Sequence, residues 1–273
     1  MTVCAARLPG DRLHLQHGPI DLILGADGAR DAAFAAATAR FDGLLEELMA
    51  ENALLRAWDG PRPEGPVARR MWQAVNRFPG QATPMAAVAG AVAEEVLAAM
   101  TAAAPLFRAW VNNGGDIALH LAQGQSFRIA MAGGRIAVTA GDPVRGIATS
   151  GRGGRSLSMG IADSVTVLAS TAALADAAAT LIANAVDLPG HPAIRRAPAD
   201  TVKDDSDLGS RPVVTGLGAL SAAEVREALD RGAARAQKMQ AEGHIAAAAL
   251  FLRGQSRTVG ARHHIEAKES AHG

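Results

Sequence analysis

The chain has 273 residues, of which 49% are hydrophobic and 20% charged, and its formal net charge is zero. This balance is typical of a globular protein with an ample core. It argues against nucleic acid or an anionic membrane as the main partner, because both need a basic excess. The single cysteine, Cys4, excludes an internal disulfide.

The N-terminal segment carries charge where a secretory signal needs an apolar run, at Arg7, Asp11 and Arg12. The longest uncharged stretches, such as Val96–Phe107, are too short and too rich in alanine to span a bilayer. We therefore expect a cytoplasmic protein with no membrane partner.

The first third of the chain predicts a hairpin followed by helices. Apolar alternation around a Gly-Pro pair indicates strands at Leu13–Leu15 and Ile20–Leu24. Helical spacing of apolar residues over Asp31–Trp58 predicts one long amphipathic helix. Shorter helices are predicted over Val67–Arg77 and Met85–Ala103, the latter so small-sided near its start that another backbone must lie against it.

The remaining segments alternate strands and helices. The predicted strands are Phe107–Val111, Ile117–Leu121, Ser126–Met131, Arg135–Ala140, Ser164–Ala169 and Ile245–Leu252. The predicted helices are Thr171–Val186 and Ala222–Gln240, with an excursion loop at Asp187–Asp207 between them. This order favours an α+β fold over a doubly wound parallel sheet. We expect a single domain over residues 1–273, with a core of about residues 10–260 and a flexible tail over 261–273.

A polar stripe runs along the predicted helix Thr171–Val186. Asp176, Thr180 and Asn184 follow one another at four-residue spacing on a helix that is otherwise apolar nearly all round. A buried carboxylate needs a cation or several donors, and oxygen ligands suit Mg²⁺ better than zinc. The alternative is an aspartate satisfied by backbone amides or by an arginine of the nearby loop.

The segment Thr149–Gly160 is rich in glycine and hydroxyls and contains Arg152 and Arg155. Such a loop could cradle a phosphate with its amides and pair it with guanidinium groups. It matches neither the Walker nor the dinucleotide pattern, and a mobile surface loop is the alternative. Asp163, just beyond it, could be a ligand or could cap a turn.

The segment VNNGGDI, at Val111–Ile117, is a strong turn signal between two apolar runs. Its two glycines would also permit the close approach of a flat or phosphorylated ligand, and Asp116 could then bind a hydroxyl. A plain hairpin is the alternative. The adjacent His263 and His264 would point apart on a regular element, which disfavours a metal site there.

Four segments form a recognisable set: PMAAVAGAVAEEV (Pro84–Val96), VNNGGDI (Val111–Ile117), TSG (Thr149–Gly151) and SVTVLASTAALADAAAT (Ser164–Thr180). Together, and in this order, they resemble the ApbE superfamily, whose best-known members are FAD-dependent protein flavin transferases. The likeness is to its short soluble branch.

The resemblance implies an ApbE-like, T-fold-like α+β fold of antiparallel sheets and packed helices, with FAD or FMN bound together with Mg²⁺. In that family FMN is moved onto a threonine of an acceptor flavoprotein and AMP is released. The implied magnesium ligands are Asp176, Thr180 and the carbonyl of Ala87. The implied cofactor-binding residues are Asn113, Gly114, Gly115, Asp116, Thr149, Ser150 and Gly151.

The chain also departs from the family pattern. The histidine-containing block expected after TSG is replaced by RSLSMGIAD at Arg155–Asp163, and tyrosine is absent. No catalytic residue is therefore assigned. The leading hypothesis is a flavin- and magnesium-binding FMN transferase acting on an acceptor flavoprotein. The alternatives are a non-catalytic flavin- or nucleotide-binding assembly protein and a different reaction on another phosphorylated ligand. A homodimer is compatible with the sequence.

Overall fold

The computed structural model describes residues 3–131, 134–154, 156–260 and 265–267. The described chain divides into two compact units. The first unit comprises residues 1–127, 138–148 and 169–177, and the second comprises residues 128–137, 149–168 and 178–273. The expectation of a single domain stays a prediction.

The elements as far as the fifth strand belong to the first unit. They are β1 (Cys4–Leu8), β2 (Arg12–His17), β3 (Ile20–Gly28), α1 (Arg30–Phe41), α2 (Leu44–Ala50), α3 (Asn52–Leu55), α4 (Pro66–Val75), a 3-10 helix (Pro84–Ala87), α5 (Val88–Ala103), β4 (Leu106–Asn113) and β5 (Asp116–Leu121). The elements whose residues divide between the units are β6 (Ser126–Met131), β7 (Gly134–Thr139), β8 (Gly146–Ser150), β9 (Ser164–Ala169) and α6 (Ala172–Ala185). The second unit also contains β10 (Ile194–Pro198), α7 (Ala199–Val202), β11 (Pro212–Leu217), α8 (Ala222–Ala241), β12 (Ala247–Leu252), β13 (Gln255–Gly260) and β14 (Ile265–Ala267).

Antiparallel pairing builds the sheets of both units. In the first unit β1, β2, β3, β4, β5 and β8 lie side by side in that order. In the second unit β9, β12 and β13 pair in sequence, β10 pairs with β11, and β14 pairs with β7. Helices pack against these strands, as α5 does against β4 and β5. The α+β fold predicted from the sequence is confirmed.

The core of the first unit centres on α5. Its buried face includes Val92, Val96 and Met100, and it packs on α1, α4, β4 and β5. Among the described residues, one helical stretch, Pro84–Ala103, is long and apolar enough to cross a membrane by length and composition. In the most apolar part of this stretch 44% is buried, and the core helix of a soluble protein passes the same test.

The start of α5 lies directly against the backbone of α6, as its small side chains predicted. A Cβ placed on Gly90 would stand 2.3 Å from the carbonyl oxygen of Ala172. Gly146 of β8 approaches the same turn, because a Cβ there would meet the Thr171 carbonyl oxygen at 2.2 Å. The first turn of α6 is therefore held between two glycines of the first unit.

The predicted long helix Asp31–Trp58 is wrong. It consists of three shorter helices, and the first break falls at Asp42 and Gly43, where Gly43 has φ of +78°. A residue in the left-handed region ends the regular helical hydrogen bonding, and glycine adopts it without strain. The apolar spacing continues across the break because all three helices bury one face, with Phe41 and Leu44 buried on either side of it.

Several elements were missed by the sequence pattern. The excursion loop predicted at Asp187–Asp207 contains β10 and α7, whose short polar segments give little periodicity. Strands β11 and β13 were not predicted, and Cys4 lies in β1. Most of the tail over 261–273, with His263 and His264, lies outside the described residues, apart from β14.

Helix α8 begins with the capping box expected from the sequence. The Ser221 hydroxyl accepts from the Glu224 amide at 3.3 Å, and the Ser221 amide donates to the Glu224 carboxylate at 2.6 Å. His191 adds a contact of 2.9 Å to the same carboxylate. The bond to His191, followed by those to Ser221, lowers the pKa of Glu224 to about 2.

We predict that Gly90→Ala destabilises the protein. Alanine is favoured over glycine in a helix by about 1 kcal/mol, but a side chain here meets a rigid carbonyl group. Overpacking of this kind costs about 1–3 kcal/mol, so we expect a net decrease in the free energy of unfolding, measured by urea denaturation.

The matched control is Gly60→Ala. A Cβ on Gly60 would have as its nearest neighbour the Cβ of Ala57 at 3.6 Å, which is ordinary contact. We expect this variant to stay within about 0.5 kcal/mol of the parent protein. Equal stability of the two variants would contradict the close approach of α5 and α6.

Candidate functional site

The VNNGGDI segment forms a two-residue hairpin in the first unit. Asn113 at the end of β4 pairs with Asp116 at the start of β5. Gly114 and Gly115 between them have φ of +66° and +117°, as tight hairpin turns require. The Gly115 amide donates to the side-chain oxygen of Asn112 at 2.8 Å. The turn predicted from composition is confirmed.

Hydrogen bonds bring this hairpin, the start of α5 and the first half of α6 together. The side-chain amide of Asn113 donates to the carbonyl of Ala89 at 3.2 Å. One residue further along α5, the amide of Gly90 donates to Oδ2 of Asp176 at 3.0 Å. All of these residues belong to the first unit, so one compact unit holds a hairpin, a helix start and a carboxylate in contact.

Asp176 lies close to a second carboxylate, that of Asp116. Burial raises the pKa of Asp176, the charge of Asp116 raises it further, and the amides of Gly90 and Ala89 lower it by less. The pKa therefore lies well above the ordinary value of 3.8. No basic side chain in the described part of the chain forms an ion pair with Asp176, so the arginine alternative fails for these residues and the amide alternative holds only in part.

Two oxygen-bearing side chains that repel each other are the kind of group that a hard divalent cation binds. Ala87 is fully buried at the N-cap of α5, three residues before Gly90. Within the described ranges, no cluster of three or more His, Cys, Asp or Glu side chains could hold a metal ion. A cation here would therefore need backbone or hydroxyl oxygens in addition to the carboxylates.

In the second unit, hydroxyl groups gather around the TSG segment. Thr180 donates to the hydroxyl oxygen of Ser150 at 3.5 Å, and the hydroxyls of Thr149 and Thr166 lie 2.9 Å apart. Asn184, the last member of the polar stripe, makes a structural contact. Its side-chain oxygen accepts from the backbone amide of Met159 at 3.1 Å.

Three backbone amides of the glycine-rich loop already donate hydrogen bonds within the second unit. Those of Arg152, Gly153 and Gly154 donate to backbone carbonyls at 2.8 Å, 3.3 Å and 3.0 Å. Arg152 also pairs with the Asp163 carboxylate at 3.0 Å, and that carboxylate accepts from the Arg253 amide at 2.6 Å. The phosphate-cradle interpretation of this loop is thus wrong for these amides. Asp163 caps the turn between β12 and β13 through its bond to the Arg253 amide. Arg155 lies outside the described residues.

The assigned site residues fall into two groups by unit, and their roles stay predictions. Those in the first unit are Asn113, Gly114, Gly115, Asp116, Ala87 and Asp176. Those in the second unit are Thr149, Ser150, Gly151 and Thr180.

Sequence reasoning missed the charged group beside the start of α6. Glu94 accepts from the Ala173 amide at 2.7 Å and from Arg70 at 3.3 Å. Glu95 pairs with Arg70 and Arg40, each at 2.9 Å. Burial raises the pKa of Glu95, but its bonds to the two arginines outweigh burial and the net pKa lies below the ordinary value. The signal was two adjacent acidic residues within an otherwise apolar helix.

We predict that Asp176→Asn stabilises the metal-free protein at neutral pH. Because the pKa of Asp176 is raised on folding, the folded protein holds this proton more tightly than the unfolded chain does. The free energy of unfolding should therefore fall as pH rises from about 4 through the raised pKa. The variant should lack this fall, as measured by urea denaturation at several pH values in the presence of a chelator.

Asp59→Asn is the control, since Asp59 is exposed and the charge change is the same. It should keep the pH dependence of the parent protein. The same fall in the Asp176 variant as in the parent would show that this carboxyl is not perturbed.

A family model described as AbpE bacteria matches residues 5–258 of the chain. Several relatives carry the name UPF0280 protein. The relative from Methanothrix thermoacetophila is 37% identical over 153 residues, covering 52% of this chain and 63% of its own length. The relative from Methanothermobacter thermautotrophicus is 37% identical over 135 residues, covering 46% of this chain and 51% of its own length. The chain thus spans less than two thirds of these relatives.

Two solved structures are also similar over most of the chain. The apo flavinyl transferase ApbE of Pseudomonas stutzeri is 14% identical with a TM-score of 0.43, over 94% of this chain and 95% of that one. The flavin transferase ApbE from Vibrio cholerae is 13% identical with a TM-score of 0.42, over 96% of this chain and 98% of that one. Because the family model covers nearly the whole chain, the protein belongs to the AbpE bacteria family and is an ApbE-like protein.

Proposed function

We propose that the protein binds a flavin nucleotide together with Mg²⁺ and transfers FMN from FAD to a threonine of an acceptor flavoprotein. The observation that carries the proposal is the pair of carboxylates, Asp116 and Asp176, which share the first unit with the hairpin and the start of α5. The motif blocks of the ApbE superfamily supply these same residues. We further propose that the reaction takes place in the cytoplasm.

The residues around Asp176 fit a magnesium ion. The Asp176 carboxylate accepts from two backbone amides, those of Gly90 and Ala89, and Asp116 provides negative charge nearby. The proposed ligands in the first unit are Asp176 and the carbonyl of Ala87. Bound Mg²⁺ would neutralise charge on a pyrophosphate and favour attack at phosphorus.

The hairpin supports the binding of a flat or phosphorylated group. A Cβ placed on Gly115 would have no neighbour within 4 Å, so the backbone is open to close approach on that side. Asn113 fixes the hairpin to the start of α5 through the Ala89 carbonyl. The chain's own contribution to catalysis would be positioning, because the hairpin and the carboxylates are held by backbone contacts within one unit.

A binding protein without turnover is the second candidate, and one observation favours it. The histidine-containing block of the superfamily is replaced here by RSLSMGIAD at Arg155–Asp163. Within that segment Asp163 already holds a turn by accepting from Arg253. The binding part of the site could thus persist without the group that promotes transfer.

We predict that the full chain binds FAD only when Mg²⁺ is present. We also predict that Asp176→Ala weakens this Mg²⁺-dependent binding. The variant loses the carboxylate that we propose as a ligand, and we expect at least a tenfold weaker affinity for FAD, because a lost contact to a charged group is worth about 1.5–3 kcal/mol. Isothermal titration of the protein with FAD, with and without Mg²⁺, measures this. Circular dichroism must show that the variant stays folded.

Asp59→Asn is again the control and should bind FAD as the parent protein does. Incubation with FAD, Mg²⁺ and an acceptor flavoprotein then separates the two candidates. Release of AMP with covalent FMN on the acceptor supports the transferase, and FAD binding without AMP supports the binding protein. If neither form binds FAD, the proposed function is wrong.

A further inference from the structure

A cleft of about 370 Å³ lies in the first unit between α4 and the start of α6. This volume falls within the range of small-molecule sites, about 300–1,000 Å³. One side is lined by Arg70, Trp72 and Arg77, and the other by Ser170 and Leu174. No residue of this lining belongs to the group assigned to flavin or Mg²⁺.

The cleft contains one acid and two guanidinium groups, and each oxygen of the acid has a partner within the protein. One oxygen of Glu94 accepts from the Ala173 amide at 2.7 Å and the other from Arg70 at 3.3 Å. Arg70 is held in place by this bond and by a second to Glu95 at 2.9 Å. Arg77 is exposed and forms neither an ion pair nor a hydrogen bond with any described residue. The cleft therefore offers a fixed cation and an available one.

Neutral donors lie beside these cations. The side chains of Gln73, Asn76 and Ser170 line the cleft, and none of them has a hydrogen-bond partner within the described part of the protein. Arginine pairs with phosphate through parallel N–H bonds, and side-chain amides and hydroxyls complete such a shell. This donor set is suited to a phosphate group.

The wall next to the arginines is aromatic and apolar. Trp72 is partly buried and Leu174 is 4% exposed. A flat group that is esterified to the phosphate could lie against the indole of Trp72, which is the largest apolar surface in the lining. An ion without such a group would leave that surface in water.

The cleft is also separate from the carboxylate pair. Leu174 and Asp176 are two positions apart on α6, which places them about 200° apart around the helix axis. Asp176 contacts Gly90 on its side of the helix, whereas Leu174 lines the cleft on the other. A ligand in the cleft would therefore not occupy the position proposed for Mg²⁺.

We propose that this cleft is a second ligand site that binds a phosphate monoester carried on a compact planar group. Arg77 contacts the phosphate, Arg70 provides the fixed charge, and Trp72 contacts the planar group. The site is independent of the proposed flavin function, since it shares no residue with it.

The test is isothermal titration of the full chain with phenyl phosphate in a chelator. We expect saturable binding, weaker binding of inorganic phosphate, and none of benzyl alcohol, which lacks the charge. Arg77→Gln should weaken binding of phenyl phosphate by about tenfold or more, because a charge-assisted contact is lost. Trp72→Phe should weaken phenyl phosphate more than inorganic phosphate.

Arg69→Gln is the matched control, because Arg69 is an exposed arginine on α4 that lies outside the cleft and donates to the Glu64 carbonyl. It should bind like the parent protein, and so should Asp176→Asn. Equal losses in the Arg69 and Arg77 variants, loss of binding in Asp176→Asn, or no saturable binding by the parent would each overturn the proposal. None of these outcomes depends on whether FAD binds.

Discussion

The contact on which the first unit depends is the crossing of α5 and α6 at Gly90. Because glycine has no side chain, the two backbones approach closely, and the Gly90 amide donates to the carboxylate of Asp176. Packing and chemistry are thus linked at one residue. If the helices were further apart, Asp176 would lose its amide donor and Glu94 would lose its bond to the Ala173 amide. Close helix packing therefore positions both the carboxylate pair and the neighbouring cleft.

Two groups of charges beside this crossing are treated differently. Glu94 forms an ion pair with Arg70, and Glu95 forms ion pairs with Arg40 and Arg70, so each carboxylate has a guanidinium partner. In such a network each carboxylate is satisfied within the protein. Asp176 has amide donors and a second carboxylate as neighbours, which raise its pKa overall. This buried carboxyl with a raised pKa is the residue at which the resemblance implies a magnesium ligand.

The sequence predicted the local features and the close approach of a backbone to the start of α5, but it missed other features that depend on tertiary contact. The hairpin at Val111–Ile117 followed from turn chemistry, and the α6 stripe from helical periodicity. The breaks of the first long helix did not, since apolar spacing continues past Gly43 while the backbone turns left-handed there. The proximity of Asp116 and Asp176 was likewise invisible, because the residues are far apart in the chain and meet only through the packing of α5.

Periodicity also could not say which member of the stripe has spare binding capacity. The Asn184 side-chain oxygen is taken by a backbone amide, and the Thr180 hydroxyl donates to Ser150. Asp176 differs because an ionised carboxylate has about four acceptor positions, and two amides cannot fill them. Its remaining positions are close to the charge of Asp116. Of the three residues, Asp176 alone therefore combines unfilled acceptor capacity with a reason to attract positive charge.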